Sequence, residues 1–393
     1  MLPPTTDTTQ RTAINGIGRA FLTCALALAA AAPLAAEVGV TDAEILIGQS
    51  AALTGPAAKL GLGMQAGLQA AFAEANAAGG VHGRQLKLVS RDDGYEPDRA
   101  IESTLGLIEE DEVFMLSGYV GTPTAKAAVP IITDMEVPLV GLFTGAGFLR
   151  DPVKADVFNV RASYDQEIEA LVERLTKDLG AAKIGVFYQD DGFGMVGLNG
   201  TKKALDKRSM ALAGTGTYPR NTEAVKAGMT QLLKGEPDAV VMVGAYKPLA
   251  AFIREVRAQG FTGPLATISF TGTEALIVEL GDAANGLVIS QVVPSPLAED
   301  IAIIKRFRAA IPEDQVTFMS LEGYITGVIV VEALKAAGPD LDRAALRAAL
   351  NAMAIDLGGL KVAFAADDHQ AFEDVHITQI RDGVAKPVTV VTP

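Results

Sequence analysis

"FYQDDGFGMVG", Phe187 to Gly197, follows an apolar run and contains a G-x-G-x-x-G in Gly192, Gly194 and Gly197. Read as a dinucleotide fingerprint, it would make the surrounding pattern a nucleotide-binding domain. A fingerprint needs its first glycine directly after the strand and an acid about 20 residues further on for the ribose. Here Gln189, Asp190 and Asp191 intervene and set two negative charges beside the supposed phosphate. The next candidate strand, "MALAGTGTY", ends without a carboxylate. Spacing and electrostatics both speak against pyrophosphate, so the glycines call for another explanation.

Working outward, short β-branched or Leu-rich runs alternate with segments whose apolar residues recur every three to four positions, which is a βαβ rhythm. "EILIGQS" reads as a strand; Met64, Leu68, Phe72 and Ala75 then share one helical face, and Gly79-Gly80 stops the helix. "QLKLVS", "VFMLSG" and "PLVGLF" are further strands, separated by helices over Pro97 to Glu110 and from Pro123 to about Thr133. A second series follows Arg161: strands "KIGVFY", "DAVVMVG", "LATISF" and "GLVISQVV", again with helices between. Two such series predict two similar α/β lobes, each a largely parallel sheet covered on both faces. A length of 393 residues fits two domains. Beyond a linker-like "VVPSP", Val292 to Pro296, the spacing predicts helices over Asp300 to Ala310, Leu321 to Ala337 and Leu341 to Met353. Strand alternation returns in "LKVAF" and "VHITQI".

The first 36 residues differ. Arg11 and Arg19 form a basic region, and "AFLTCALALAAAAPLAA", Ala20 to Ala36, runs uncharged to a small-residue end. This reads as a secretory signal peptide, so the mature protein is expected in the periplasm; a retained amphipathic anchor is the alternative. The sole cysteine, Cys24, follows Thr23 and precedes most of the apolar run, a poor arrangement for lipidation. Without it the chain has no disulfide and no thiolate metal site. A formal net charge of −14 repels polyanions and excludes nucleic acid as a natural partner.

Catalytic chemistry is sparse. His82, His369 and His376 are the only histidines, none at metal-ligand spacing, and there is no nucleophile elbow, P-loop or C-x-x-C pair. Asp92-Asp93, Asp190-Asp191 and Asp367-Asp368 are adjacent in sequence, so in a strand they would face opposite ways, which is poor geometry for acid/base work. We therefore expect no enzyme, no metal and no cofactor. A better anion site lies in "SGYVGTPTAKAAVP", Ser117 to Pro130, where a strand ends in a glycine turn and a helix begins with Thr122 as N-cap and Pro123 at its first position. "LFTGAGFLR" offers Thr144, Gly145 and Ala146 in a second polar turn. Ordinary capping explains Thr122 taken alone equally well. Two such turns at neighbouring strand ends form the crevice in which open α/β sheets bind ligands.

These residues, with "SAALTGPAAKLGLGMQAGLQAAFAEANAAGGVHGRQLKLVSRDD", resemble the periplasmic leucine/isoleucine/valine-type solute-binding proteins of ABC importers. Thr54-Gly55-Pro56, Asn76, Gly79-Gly80, Gly83 and Asp92-Asp93 carry the likeness, and "FYQDDGFG", "GAYKPLAAFIREVRAQGF" and "EGYITGVIVVEAL" extend it from about Ile45 to Asp382. The resemblance implies a type I periplasmic-binding-protein fold: two Rossmann-like lobes joined by a three-crossover hinge, with 43 to 161 and 291 to 354 in lobe one and 162 to 290 and 355 to 393 in lobe two. It implies a monomer that captures a small solute, closes, and hands it to an inner-membrane permease. Thr122 and Thr144 to Ala146 fall where the family holds a ligand carboxylate. Phe193 and Tyr246 fall where lobe two sets aromatic rings over the ligand, and Leu60 where a large apolar residue meets it.

One departure bears on the ligand. Amino-acid binders of the family carry an acid after the "ATIS" strand, where this chain has Phe270; Glu274, one helical turn on, is a possible substitute. A hydrophobic amino acid and an aromatic or aliphatic carboxylate without an amino group both stay open, with Tyr119, Tyr95 and Phe143 as further candidate lining. A same-fold sensor for a membrane kinase also stays open. The rival of another class is a periplasmic dinucleotide-dependent oxidoreductase, resting on the three glycines.

Overall fold

The computed structural model describes residues Glu37–Pro393; the proposed signal segment lies outside the described residues. The first series comprises β1 (Glu44–Ala51), α1 (Ala58–Ala77), β2 (Gln85–Asp92), α2 (Pro97–Leu105), β3 (Met115–Ser117), α3 (Thr122–Asp134), β4 (Leu139–Val140) and β5 (Val157–Phe158). The second comprises α4 (Tyr164–Lys177), β6 (Ile184–Gln189), α5 (Gly192–Asp206), β7 (Gly214–Tyr218), α6 (Lys226–Leu233), β8 (Ala239–Val243), α7 (Tyr246–Ala258), β9 (Leu265–Thr267), α8 (Thr273–Leu280) and β10 (Val288–Gln291). Then come α9 (Ala302–Ala310), α10 (Phe318–Ala337), α11 (Arg343–Asn351) and four short strands, β11 (Ala354–Asp356), β12 (Lys361–Ala363), β13 (His376–Arg381) and β14 (Val384–Pro387).

Two sheets result, and they repeat one topology. The first runs β2-β1-β3-β4-β5; the second contains β7-β6-β8-β9-β10 in the same relative order, extended past β10 by β13 and β14. Pairing is parallel throughout except where β13 and β14 join antiparallel. In each sheet the strand order reverses beside the first strand of its series, which opens a crevice outside the strands' carboxyl ends.

Lobe one's outer layer shows why its sequence is rich in glycine. A Cβ on Gly67 of α1 would lie 2.1 Å from the Ser320 carbonyl, and one on Gly323 of α10 would lie 2.4 Å from the Met64 carbonyl. Only a glycine seam lets these two helices touch backbone to backbone. Helix α10 is buried over most of its length, which is why its apolar residues lack a clear amphipathic stripe.

The chain's return to lobe two is later than the expected boundary at 355. Hairpin β11-β12 stands apart from both large sheets, and Leu357, Val362 and Phe364 pack into the cluster formed by α1, α9, α10 and α11. Asn159 bridges Gln370, and the His369 ring stacks on Phe158 at 4.0 Å. Apolar contacts thus hold residues 354 to 370 on lobe one, and lobe two regains the chain only with β13.

Candidate ligand cleft between the two sheets

Most of the expected site residues lie at or just beyond the carboxyl ends of strands. Leu60 follows β1, Tyr119 and Thr122 follow β3, and Thr144 to Ala146 follow β4; across from them Phe193 follows β6, Tyr246 follows β8 and Phe270 follows β9. Alternation of strand and helix has brought six distant segments to one crevice.

On lobe one the two polar turns meet. The hydroxyls of Thr122 and Thr144 are 2.6 Å apart, and the Ala146 amide donates to Thr144 Oγ1 at 3.3 Å. Gly145 is required here: a Cβ would sit 2.6 Å from the Tyr164 amide and 2.7 Å from its ring, while that amide donates to the Gly145 carbonyl at 2.8 Å. The helix starts one residue earlier than expected, so Gly121, at φ 105°, takes the cap position and Thr122 the first turn. Freed from capping, the Thr122 side chain pairs with Thr144, while Thr124 donates back to the Val120 and Gly121 carbonyls.

Aromatic rings from both lobes close over these turns. Phe270 lies 4.6 Å from Phe193, 5.5 Å from Phe143 and 5.8 Å from Tyr95, and Phe193 lies 5.5 Å from Tyr164. All five side chains are buried, in one apolar cluster that continues from α3 into the core of lobe two. Leu60 is buried too, and a Cβ on Gly272, at φ 84°, would lie 2.6 Å from Leu60 Cδ2, so the lobes touch there.

Charges line the hinge side. Arg161, fully buried, donates through Nε and Nη2 to the two carboxylate oxygens of Glu322 at 2.7 and 2.6 Å, and its guanidinium carbon sits 4.2 Å from the centre of the Phe143 ring. Glu167 accepts from the Ser269 amide at 2.8 Å, the Ser269 hydroxyl at 3.1 Å and the Ser290 hydroxyl at 2.7 Å. Burial pushes its carboxyl above the usual range against the pull of Arg161 and those donors. Arg161 Nη1 has no hydrogen-bond partner in the protein, and the Tyr164 hydroxyl lies beside Thr144. Sequence reading missed both residues; Arg161 finds its partner 161 positions away, and Tyr164 is the first residue of a helix whose capping box hides it among ordinary surface signals.

Three expected residues fall outside the ring group. Tyr246 opens α7 and its hydroxyl accepts from the Lys59 amide at 3.5 Å, so it stands at the mouth. Glu274 accepts from the Phe318 amide at the start of α10, and burial raises its carboxyl to about 7. It lines an outer groove with Tyr246, Lys59 and Met319 rather than the rings. The Tyr119 hydroxyl is engaged by Thr104 of α2 at 3.2 Å. The mouth is bridged on its other side: Glu96 of lobe one takes Arg220 Nη2 and Asn221 Nδ2, each at 2.7 Å, and Gln189 Nε2 reaches the Tyr95 hydroxyl at 3.3 Å.

The glycine motif now has its explanation. Gly192, Gly194 and Gly197 all lie within α5; a Cβ on Gly194 would meet the Gln189 carbonyl at 1.8 Å, and one on Gly197 would meet Val243 at 2.4 Å. Gly194 and Gly197 bring α5 against the sheet, while a Cβ on Gly192 would meet nothing within 4 Å. Asp191 caps this helix through the Phe193 and Gly194 amides, so a carboxylate already occupies the place a pyrophosphate would need. Among the described residues no cluster of His, Cys, Asp or Glu could hold a metal ion, and no helix is long and apolar enough to cross a membrane.

Comparison with known proteins gives one answer over nearly the whole described chain. The family described as periplasmic binding protein matches residues 44–385. A possible leucine/isoleucine/valine-binding protein from Rhodopirellula baltica SH 1, solved by crystallography, superposes with a TM-score of 0.84 at 38% identity, covering 88% of this chain and 97% of that one. The Leu/Ile/Val-binding protein homolog 7 of Brucella suis biovar 1 (strain 1330) is 26% identical over 357 residues, 86% of each chain. A fatty acid ABC transporter substrate-binding protein from Thermomonospora curvata shares the fold, with a TM-score of 0.80 at 24% identity over 90% of this chain and 93% of that one.

Proposed function

Because this chain belongs to the periplasmic binding protein family, in its leucine/isoleucine/valine-binding type, we propose that it captures a small, hydrophobic, carboxylate-bearing solute in the cleft and delivers it to the permease of an ABC importer. Like its relatives it is a binding protein and not an enzyme. The observation that carries the reading is the meeting of Thr122 and Thr144 with buried rings from both lobes at the strands' carboxyl ends. Hydroxyls suit a carboxylate, and the rings suit an apolar body shielded from water.

Lobe one on this reading takes residues 43 to 161 and 291 to about 370, and closure swings lobe two against it about three chain crossings. Periplasmic location follows from the family and fits the secretory reading of the first 36 residues.

A thermal-shift screen against amino acids and simple carboxylates tests the proposal. A true ligand at 100 times its Kd adds about 2.7 kcal/mol, a shift of a few degrees in a protein this size. Thr122→Ala should weaken that shift and leave the unliganded melting point nearly unchanged. An undiminished shift would remove Thr122 from the site.

A further inference from the structure

Two buried donors border the ring cluster: Arg161 Nη1, which has no partner, and the Tyr164 hydroxyl, which lies beside Thr144. Arg161 Nη1 belongs to a guanidinium lying 4.2 Å over the Phe143 ring, and the Tyr164 ring lies 5.5 Å from Phe193; both side chains are fully buried. Phe270, 5.5 Å from Phe143 and 4.6 Å from Phe193, joins them into one group. A guanidinium nitrogen can only donate. Burial raises the Tyr164 phenol to about 12, so it keeps its proton and donates as well. Leaving such donors unmet in an apolar setting is costly, and a ligand group that meets them must be an acceptor.

The acceptors nearby are engaged in the opposite sense. Both oxygens of Glu322 receive Arg161, and both oxygens of Glu167 receive the Ser269 and Ser290 donors. An ammonium brings up to three donors and a positive charge. Inside the rings it would meet the Arg161 guanidinium and Phe270, and the nearby carboxylates of Glu322 and Glu167 already accept from other donors. Glu274, with one unpartnered oxygen, lies at the outer groove and is turned to the start of α10.

Resting on the receptor reading above, we propose that the cleft selects a monocarboxylate that carries no amino group, its carboxylate received by Arg161 Nη1 and the Tyr164 hydroxyl beside the Thr122–Thr144 pair, and its apolar body held against Phe193 and Phe270. Arg161 and Tyr164 are then the residues that set specificity. Selection against an amine needs no clash: it follows from donors that an ammonium cannot satisfy.

Matched pairs of ligands test this by calorimetric titration of the purified protein: 4-methylpentanoate against leucine, and 3-phenylpropanoate against phenylalanine, each pair differing only by the amino group. The expected result is binding of at least one des-amino acid, with its amino acid at least about a hundredfold weaker. Tyr164→Phe, which removes one hydroxyl and keeps the ring, should weaken the des-amino ligand about tenfold or more with little change in melting point. A lower melting point at unchanged affinity would assign Tyr164 a purely structural role and overturn its part in the proposal. Leucine or phenylalanine binding as tightly as its des-amino partner would overturn the selectivity while leaving the receptor reading intact. No binding by any of the four would overturn both the inference and the carboxylate reading on which it rests.

Discussion

Arg161 and Glu322 form the most consequential side-chain pair in the molecule. Both are buried, their contact is bidentate, and α10 carries the carboxylate to the point where the chain first passes between lobes. Breaking such a pair leaves an uncompensated charge out of water, so Glu322→Ala should lower unfolding stability by about 3 to 5 kcal/mol. Urea denaturation checks this as a lower midpoint with an unchanged slope. None of it was legible beforehand: in the sequence Glu322 is an ordinary helical acid, and Arg161 merely precedes a helix. Phe270 was singled out by the resemblance alone, and it is buried among Tyr95, Phe143 and Phe193. The place of Glu274 was not legible, because its contact with the α10 start depends on how two distant helices approach.

At the scale of elements, the strand-helix rhythm was read well because most strands are short apolar runs and most helices have a buried stripe. The glycines of α5 were harder. Their motif suggests a loop around phosphate, yet Gly194 and Gly197 are set by close packing on Gln189 and Val243, which no local spacing reveals. The segment 355 to 370 was harder to place for a similar reason, since its attachment to lobe one comes from contacts with Asn159, Phe158 and α9 to α11. Elements also meet at the mouth, where Glu96 beside α2 receives Arg220 and Asn221 from the loop after β7. Arg220 also reaches Asp191, the cap of α5, at 3.2 Å. These contacts cross between lobes outside the ring cluster, so they favour closure without touching a ligand there. Because the ion pair is partly exposed, it contributes no more than about 1 kcal/mol. Glu96→Ala should therefore weaken ligand binding a few-fold with little change in stability, and added salt should weaken the parent protein more than the variant. Equal affinity in parent and variant would show that the bridge plays no part in closure.

For the whole molecule, the two sheets with one strand order explain why so short a list of side chains suffices. Each sheet brings its carboxyl-end turns to a crevice, and in the proposed site lobe one gives the polar turns and lobe two most of the lid. The apolar cluster running through both lobes is what closure completes: rings that bury each other here would be exposed to water if the lobes parted. That cost, and the gain from a bound solute, set the balance between open and closed forms. The central claim, that a carboxylate solute is captured by lobes closing over it, is tested most directly by small-angle X-ray scattering with and without a saturating ligand from the thermal screen. Closure on binding should give a smaller radius of gyration, with the liganded curve matching the closed arrangement of the two lobes. A ligand that binds while leaving the scattering unchanged and open would contradict it.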